Sequence, residues 1–62
     1  MNFKDFLEMY DNWNGIVIVN DDNLKRIAKD KGFLIYENHK ELYERKVIAF
    51  GFYDNELCIR IK

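Results

Sequence analysis

The chain contains no proline, one cysteine, one histidine and only three glycines among its 62 residues. A lone cysteine, Cys58, rules out an intramolecular disulfide framework and suits a reducing compartment. His39 and Cys58 are the sole strong nitrogen and sulfur ligands, too few for the four-ligand cage of a structural zinc site. As a nucleophile and base they come with no glycine-rich oxyanion segment. Gly15, Gly32 and Gly51 stand isolated, which excludes a phosphate-cradling loop. Nothing resembles a linker or a low-complexity tract, so a single domain is expected over residues 1–62. No apolar run approaches the ~20 residues of a membrane span. The opening Asn2-Phe3-Lys4-Asp5 lacks the basic start and apolar stretch of a signal peptide. Charge of one sign is scarce too: ten basic and eleven acidic side chains leave −1, which does not indicate a highly charged binder of nucleic acid or membrane. These absences lead us to expect a small soluble cytoplasmic domain with no cofactor, metal or catalytic residue.

Apolar and aromatic side chains are plentiful instead, at 48% and 16%, too many for a disordered segment. A domain near this size buries only ~60% of its unfolded surface. It therefore needs dense aromatic packing or self-association, so a homodimer is one expectation. Charge is also segregated: residues 1–23 carry a net −4 and residues 24–62 a net +3. The basic excess lies in Lys25, Arg26, Lys29 and Lys31, an arrangement suited to steering a partner.

Phe3, Phe6, Leu7 and Tyr10 recur on a helical period, with Asn2 as cap and Asp5 three residues on. Asn12-Trp13-Asn14-Gly15 should end this helix through a residue of positive φ. Ile16–Val19 is β-branched and apolar at both parities, which predicts a central strand. Asn20-Asp21-Asp22-Asn23 is a turn. From Leu24 to Lys31 the spacing of Leu24, Ile27 and Ala28 favours a helix on local pattern, while the same residues could form a return strand across the turn. Phe33–Tyr36 reads as a strand, and Asn38 with Glu41 as the capping box of a short helix reaching Arg45. Val47–Tyr53 and Glu56–Lys62 flank Asp54-Asn55, the two-residue loop of a hairpin. That loop sets Phe52 against Leu57, Phe50 against Ile59 and Ile48 against Ile61, all expected on one inward face. The fold expected is α+β: a small, mostly antiparallel four- to five-stranded sheet with an N-terminal helix on the Ile48/Phe50/Phe52 face and a second short helix.

Two constellations can meet a partner. Trp13 and Tyr10 beside Asp11, with the turn acids Asp21 and Asp22, form an aromatic and acidic set of the kind protein interfaces use, while Trp13 also reads as a core lid over the first helix. Lys25, Arg26, Lys29 and Lys31, near Phe33 or Tyr36, combine cations with stacking rings as single-stranded nucleic-acid sites do. Asp21-Asp22 and Asp54/Glu56 are read as turn formers rather than cation ligands.

Three stretches carry a resemblance: Asp11-Asn12-Trp13-Asn14-Gly15, Val19 through Lys25, and Val47 through Arg60. Together they resemble small proteins of phages and other mobile elements of Firmicutes, similar in type to anti-CRISPR inhibitors of Cas9. The resemblance implies a hairpin at Leu24–Lys29 and a stoichiometric binder of a bacterial host protein, Cas9 foremost, and it carries no catalytic residue. Cas9 has positively charged nucleic-acid channels, so it implies Asp11, Asp21 and Asp22 as contacts, with Trp13, Lys25 and Arg26 beside them. A charge of −1 is far from that of a DNA mimic, which leaves a protein surface outside the DNA path equally open. A nucleic-acid-binding or DNA-processing module using residues 25–31 is the alternative.

Overall fold

The computed structural model describes all of residues 1–62. Along the chain run α1 (Phe3–Met9), β1 (Ile16–Asn20), β2 (Arg26–Lys31), α2 (Gly32–Asn38), a 3-10 turn (Lys40–Leu42), β3 (Val47–Tyr53) and β4 (Glu56–Ile61). The strands form one four-stranded sheet in the order β2-β1-β4-β3. The expected α+β class is present. β1–β2 and β3–β4 are antiparallel hairpins, but β1 and β4 are parallel, so the sheet is mixed. Because β3 runs in the same direction as β2, the intervening segment must travel back along the sheet, and α2 and the 3-10 turn cover the core face on the way.

Asn2 caps α1 as its sequence predicts, its Oδ1 accepting the Asp5 N–H at 2.9 Å. Phe3 and Leu7 are the buried residues of the helix. The helix ends differently from expectation: Tyr10 is extended at φ −87°, and no residue between it and Gly15 has a positive φ. β1 is central, with Val17 and Val19 in the core and Ile18 buried on the opposite face. Residues 26–31 resolve as a strand, because β1 offers them a full antiparallel ladder from Ile16↔Lys31 to Asn20↔Arg26. A bulge beside Val19 leaves Ile27 unpaired, and both Ile27 and Ala28 pack against the core.

Two expectations are corrected. Phe33–Tyr36 is helical, within α2, since four consecutive apolar residues carry no period that separates strand from helix. Gly32 and Phe33 still donate to the carbonyls of Gly15 and Trp13 at 3.0 and 3.1 Å, and the chain then coils over the core. A Cβ on Gly32 would lie 3.2 Å from Trp13 Cα, so glycine allows this close crossing. The expected helix from Asn38 to Arg45 is a single 3-10 turn, with Asn38 closing α2 rather than capping a new helix.

The C-terminal hairpin keeps the predicted register from Tyr53↔Glu56 through Ala49↔Arg60. Asp54 and Asn55 have φ of 53° and 65°, the pair of positive angles that a type I′ loop requires. A bulge then sets Val47, not Ile48, opposite Ile61. The inward face is only half as predicted. Leu57, Ile59 and Ile61 are buried, but Ile48, Phe50 and Phe52 are 42%, 62% and 58% exposed. With α2 set over β1 and β2 and α1 against α2, the helical cover stops short of β3. Only the flank of α1 reaches β3, through Phe6 on Phe50 and Tyr10 on Phe52 at centroid distances of 5.0 and 6.1 Å.

Leu24, in the β1–β2 turn, is held at φ 65° and is 65% exposed. A branched side chain there costs roughly 1 kcal/mol and gains little burial. Leu24→Gly should therefore stabilise the fold by about 0.5–1 kcal/mol, read as a higher urea midpoint at unchanged slope.

Candidate partner-binding surfaces

On the helix side, the uncovered part of β3 continues onto α1. Met1 and Met9 are 58% and 66% exposed. With Phe6, Val47, Ile48, Ala49 and Phe50 they line a shallow groove of about 600 Å³ built from apolar residues alone. A smaller depression between Phe6, Tyr10 and Phe52 extends it. Contiguous apolar surface of this kind marks an interaction site in a small domain. Sequence reasoning placed Ile48, Phe50 and Phe52 on the inward face and Val47 on the opposite one, and gave Met1 and Met9 no place in the core. The signal it had was Val47–Tyr53 itself, seven residues without a charge, which suits an edge only if something else covers it.

The residues singled out from the sequence do not form one site. Asp11 and Trp13 precede β1, whereas Asp21, Asp22, Lys25 and Arg26 follow it, so a strand of roughly 15 Å separates the two groups. Trp13 is half-buried and engaged internally: its Nε1–H donates to the Leu7 carbonyl at 3.1 Å and its ring lies 4.9 Å from that of Tyr36. Asp21 Oδ1 accepts the N–H groups of Asn23 and Lys25, both at 2.9 Å, and so builds the turn. Asp11, Asp22, Lys25 and Arg26 are exposed.

The opposite face of the sheet carries no helix. The registers place Lys31 beside Ile16, Lys29 and Cys58 beside Ile18, and Arg26 and Arg60 beside Asn20. Ile18 is nevertheless only 7% exposed. An ion pair from Lys29 to Glu56 (3.9 Å) spans β1 there, and the lysine stem shields apolar surface. The Tyr53 ring lies on Gly51, where a Cβ would be 3.2 Å away, which explains a glycine inside the strand. Arg60 Nε is buried without a hydrogen-bond partner. This face is basic, with Arg26, Lys29, Lys31 and Arg60 against Glu56. No group of three His, Cys, Asp or Glu side chains is placed to hold a metal ion, and no helix is long and apolar enough to cross a membrane.

A polar lattice on the outer side of the helices ties them together. Tyr36 donates its hydroxyl to Glu8, Tyr43 donates to the Tyr36 carbonyl, and Lys4 approaches Glu8 at 3.6 Å. The hydrogen bond to Glu8, followed by desolvation and the Glu8 charge, pushes the Tyr36 hydroxyl up to about 12. At Glu41, a backbone hydrogen bond and then His39 (3.3 Å away) hold the carboxyl below its usual range.

Tyr36 thus binds its proton more tightly folded than unfolded. Its stabilising contribution is complete below the ordinary value of 10 and is lost as pH rises toward about 12. An ultraviolet titration should show one tyrosine ionising late, a step that Tyr36→Phe removes and Glu8→Gln brings down. Compared with protein-family models, curated proteins and solved structures, the chain shows no match to any of the three.

Proposed function

We propose that this chain is a stoichiometric binding protein, acting by covering a surface of a bacterial host protein with the apolar strip of α1 and β3. The observation that carries this reading is the exposure of Phe50, Phe52, Met9 and Met1 around two adjoining apolar depressions. Aromatic and methionine side chains at the centre of a polar rim are what protein interfaces are enriched in. The resemblance to anti-CRISPR inhibitors makes Cas9 the partner to test first, with occlusion as the mechanism. Asp11, next to Tyr10 at the margin of the strip, then serves as a rim contact.

A plasmid-interference assay tests it. The wild-type chain should protect the plasmid from Cas9, and the Phe50→Lys/Phe52→Lys double variant should lose affinity by roughly 30-fold or more, as for interface hot spots. Both side chains are exposed, so thermal unfolding serves as the control. Undiminished interference with the wild-type chain present removes Cas9 as the partner, and full protection by the double variant removes the strip.

One observation favours a second reading, single-stranded nucleic acid on the face without helices. Arg26, Lys29, Lys31 and Arg60 converge there, with Tyr53 as a stacking ring. Four phosphate contacts would give log K a slope near −3 against log salt. Flat or undetectable binding to a labelled oligonucleotide at low salt eliminates it.

A further inference from the structure

On the face of the sheet without helices, Ala49, Arg60, Asn20 and Arg26 stand in one row across the four strands. Beside that row lies a depression of about 170 Å³, whose lining includes Asn20, Leu24, Ala49, Tyr53, Cys58 and Arg60. Small residues open it over β3. Tyr53 folds back there, its hydroxyl 3.3 Å from where a Cβ on Gly51 would stand. The frame around Ala49 and Arg60 is fixed. Val47 N–H donates to the Met1 carbonyl at 3.0 Å and Lys62 N–H to the Lys46 carbonyl at 2.9 Å. Two features of this site destabilise the fold without a counterpart inside it. Arg60 Nε is buried with no acceptor, whereas Arg45 Nε donates to the Lys62 carbonyl at 2.9 Å. Leu24 is held at φ 65° while remaining 65% exposed. Orphaned buried donors and strained backbone gather where ligands bind.

We propose that this depression is a nucleoside-phosphate site, in which Arg60, with Arg26 along the same row, holds phosphate oxygens while Tyr53 and Leu24 pack on the base. The inference rests on the second reading above, nucleic acid on this face, and names the unit recognised. Three observations select this chemistry. First, the face is positive, with Arg26, Lys29, Lys31 and Arg60 against Glu56, and no carboxylate lines the depression, which favours an anion. Second, a guanidinium presents planar, paired donors that match phosphate. As the Arg60 side chain turns toward an arriving oxygen, Nε gains the acceptor it lacks. Third, Tyr53 is 67% exposed, and with Leu24 it offers a ring and a branched apolar side chain to a flat base. Glycine at position 24 would relax the backbone but remove that wall, so binding rather than stability accounts for the leucine. The same chemistry reaches the site from two sources, a free nucleotide or one unit of a single strand.

Uridine monophosphate titrated at low salt into the isotope-labelled chain, followed by nuclear magnetic resonance, tests this. It should shift the Arg60 Nε–H signal and the backbone amides of Asn20, Leu24 and Cys58 together, with half-saturation at about 1 mM or below. Uridine and inorganic phosphate, each lacking one half, should bind at least roughly tenfold more weakly. Arg60→Lys should weaken the nucleotide by roughly tenfold, since an ammonium lacks the planar fork. Leu24→Gly should weaken it by roughly threefold or more while raising the urea midpoint, which separates loss of ligand from damage to the fold. No concerted shift at millimolar nucleotide overturns the proposal. So does binding that Arg60→Lys leaves intact, or phosphate alone binding equally well. A single-stranded oligonucleotide, titrated in parallel, separates this site from the second reading. Nucleotide binding without oligonucleotide binding keeps the site, for a free nucleotide, and removes that reading. Oligonucleotide binding that leaves the Arg60 and Leu24 signals unmoved does the reverse, and both ligands moving the same signals supports a unit of a strand.

Discussion

The parallel pairing of Val17–Asn20 with Leu57–Arg60 is the constraint on which the molecule depends. Each hairpin is a local structure closed by its own turn, and a two-stranded hairpin is marginal in water. Their union puts Val17, Val19, Leu57 and Ile59 on one surface for Phe3, Leu7, Ile35 and Leu42 to cover. It also joins residues about forty positions apart, the entropically expensive contact of this fold. Everything outward of these two strands, charged β2 on one side and apolar β3 on the other, is held in place through them.

Coverage follows from that geometry. α1 and α2 have seven residues each; α2 lies over β1 and β2 with α1 against it, so only the flank of α1 reaches β3. The core is accordingly small, nine buried residues in one cluster, and aromatic contacts at its margin make up part of the shortfall. Trp13, Tyr36 and Tyr43 stack in succession at 4.9 and 5.2 Å, closing the helix side at one end. At the other end the corresponding aromatics, Phe50 and Phe52, are met on one flank only. The same roofing that leaves them uncovered makes them the surface proposed for recognition.

Much of this was legible in the sequence where local chemistry decides. Asn2 as a cap, the β-branched run of β1 and the Asp54-Asn55 loop each specify one conformation, and the loop fixes the facing of five residue pairs. Phe33–Tyr36 was misread because its four apolar residues satisfy either element, and the choice fell to a long-range need, the return path from β2 to β3. The burial of Phe50 was misread for a related reason: alternation shows which side of a sheet a residue faces, not whether a helix extends over it. Trp13 and Asp21 were visible as special residues. Their internal roles, an indole bonded to the end of α1 and a carboxylate folding its own turn, were readable as a lid on the first helix and a turn former, but residue type alone did not separate these from partner contacts.

The hydrogen bond from Val47 to the Met1 carbonyl has a practical side. Residues 1–3 run antiparallel to residues 45–47, so any peptide fused ahead of Met1 is aimed along the vacant flank of Ile48–Tyr53. An affinity tag at that terminus is placed to lie down as an artificial fifth strand beside Ile48, Phe50 and Phe52. The same tag attached after Lys62, beyond the end of an interior strand, points elsewhere.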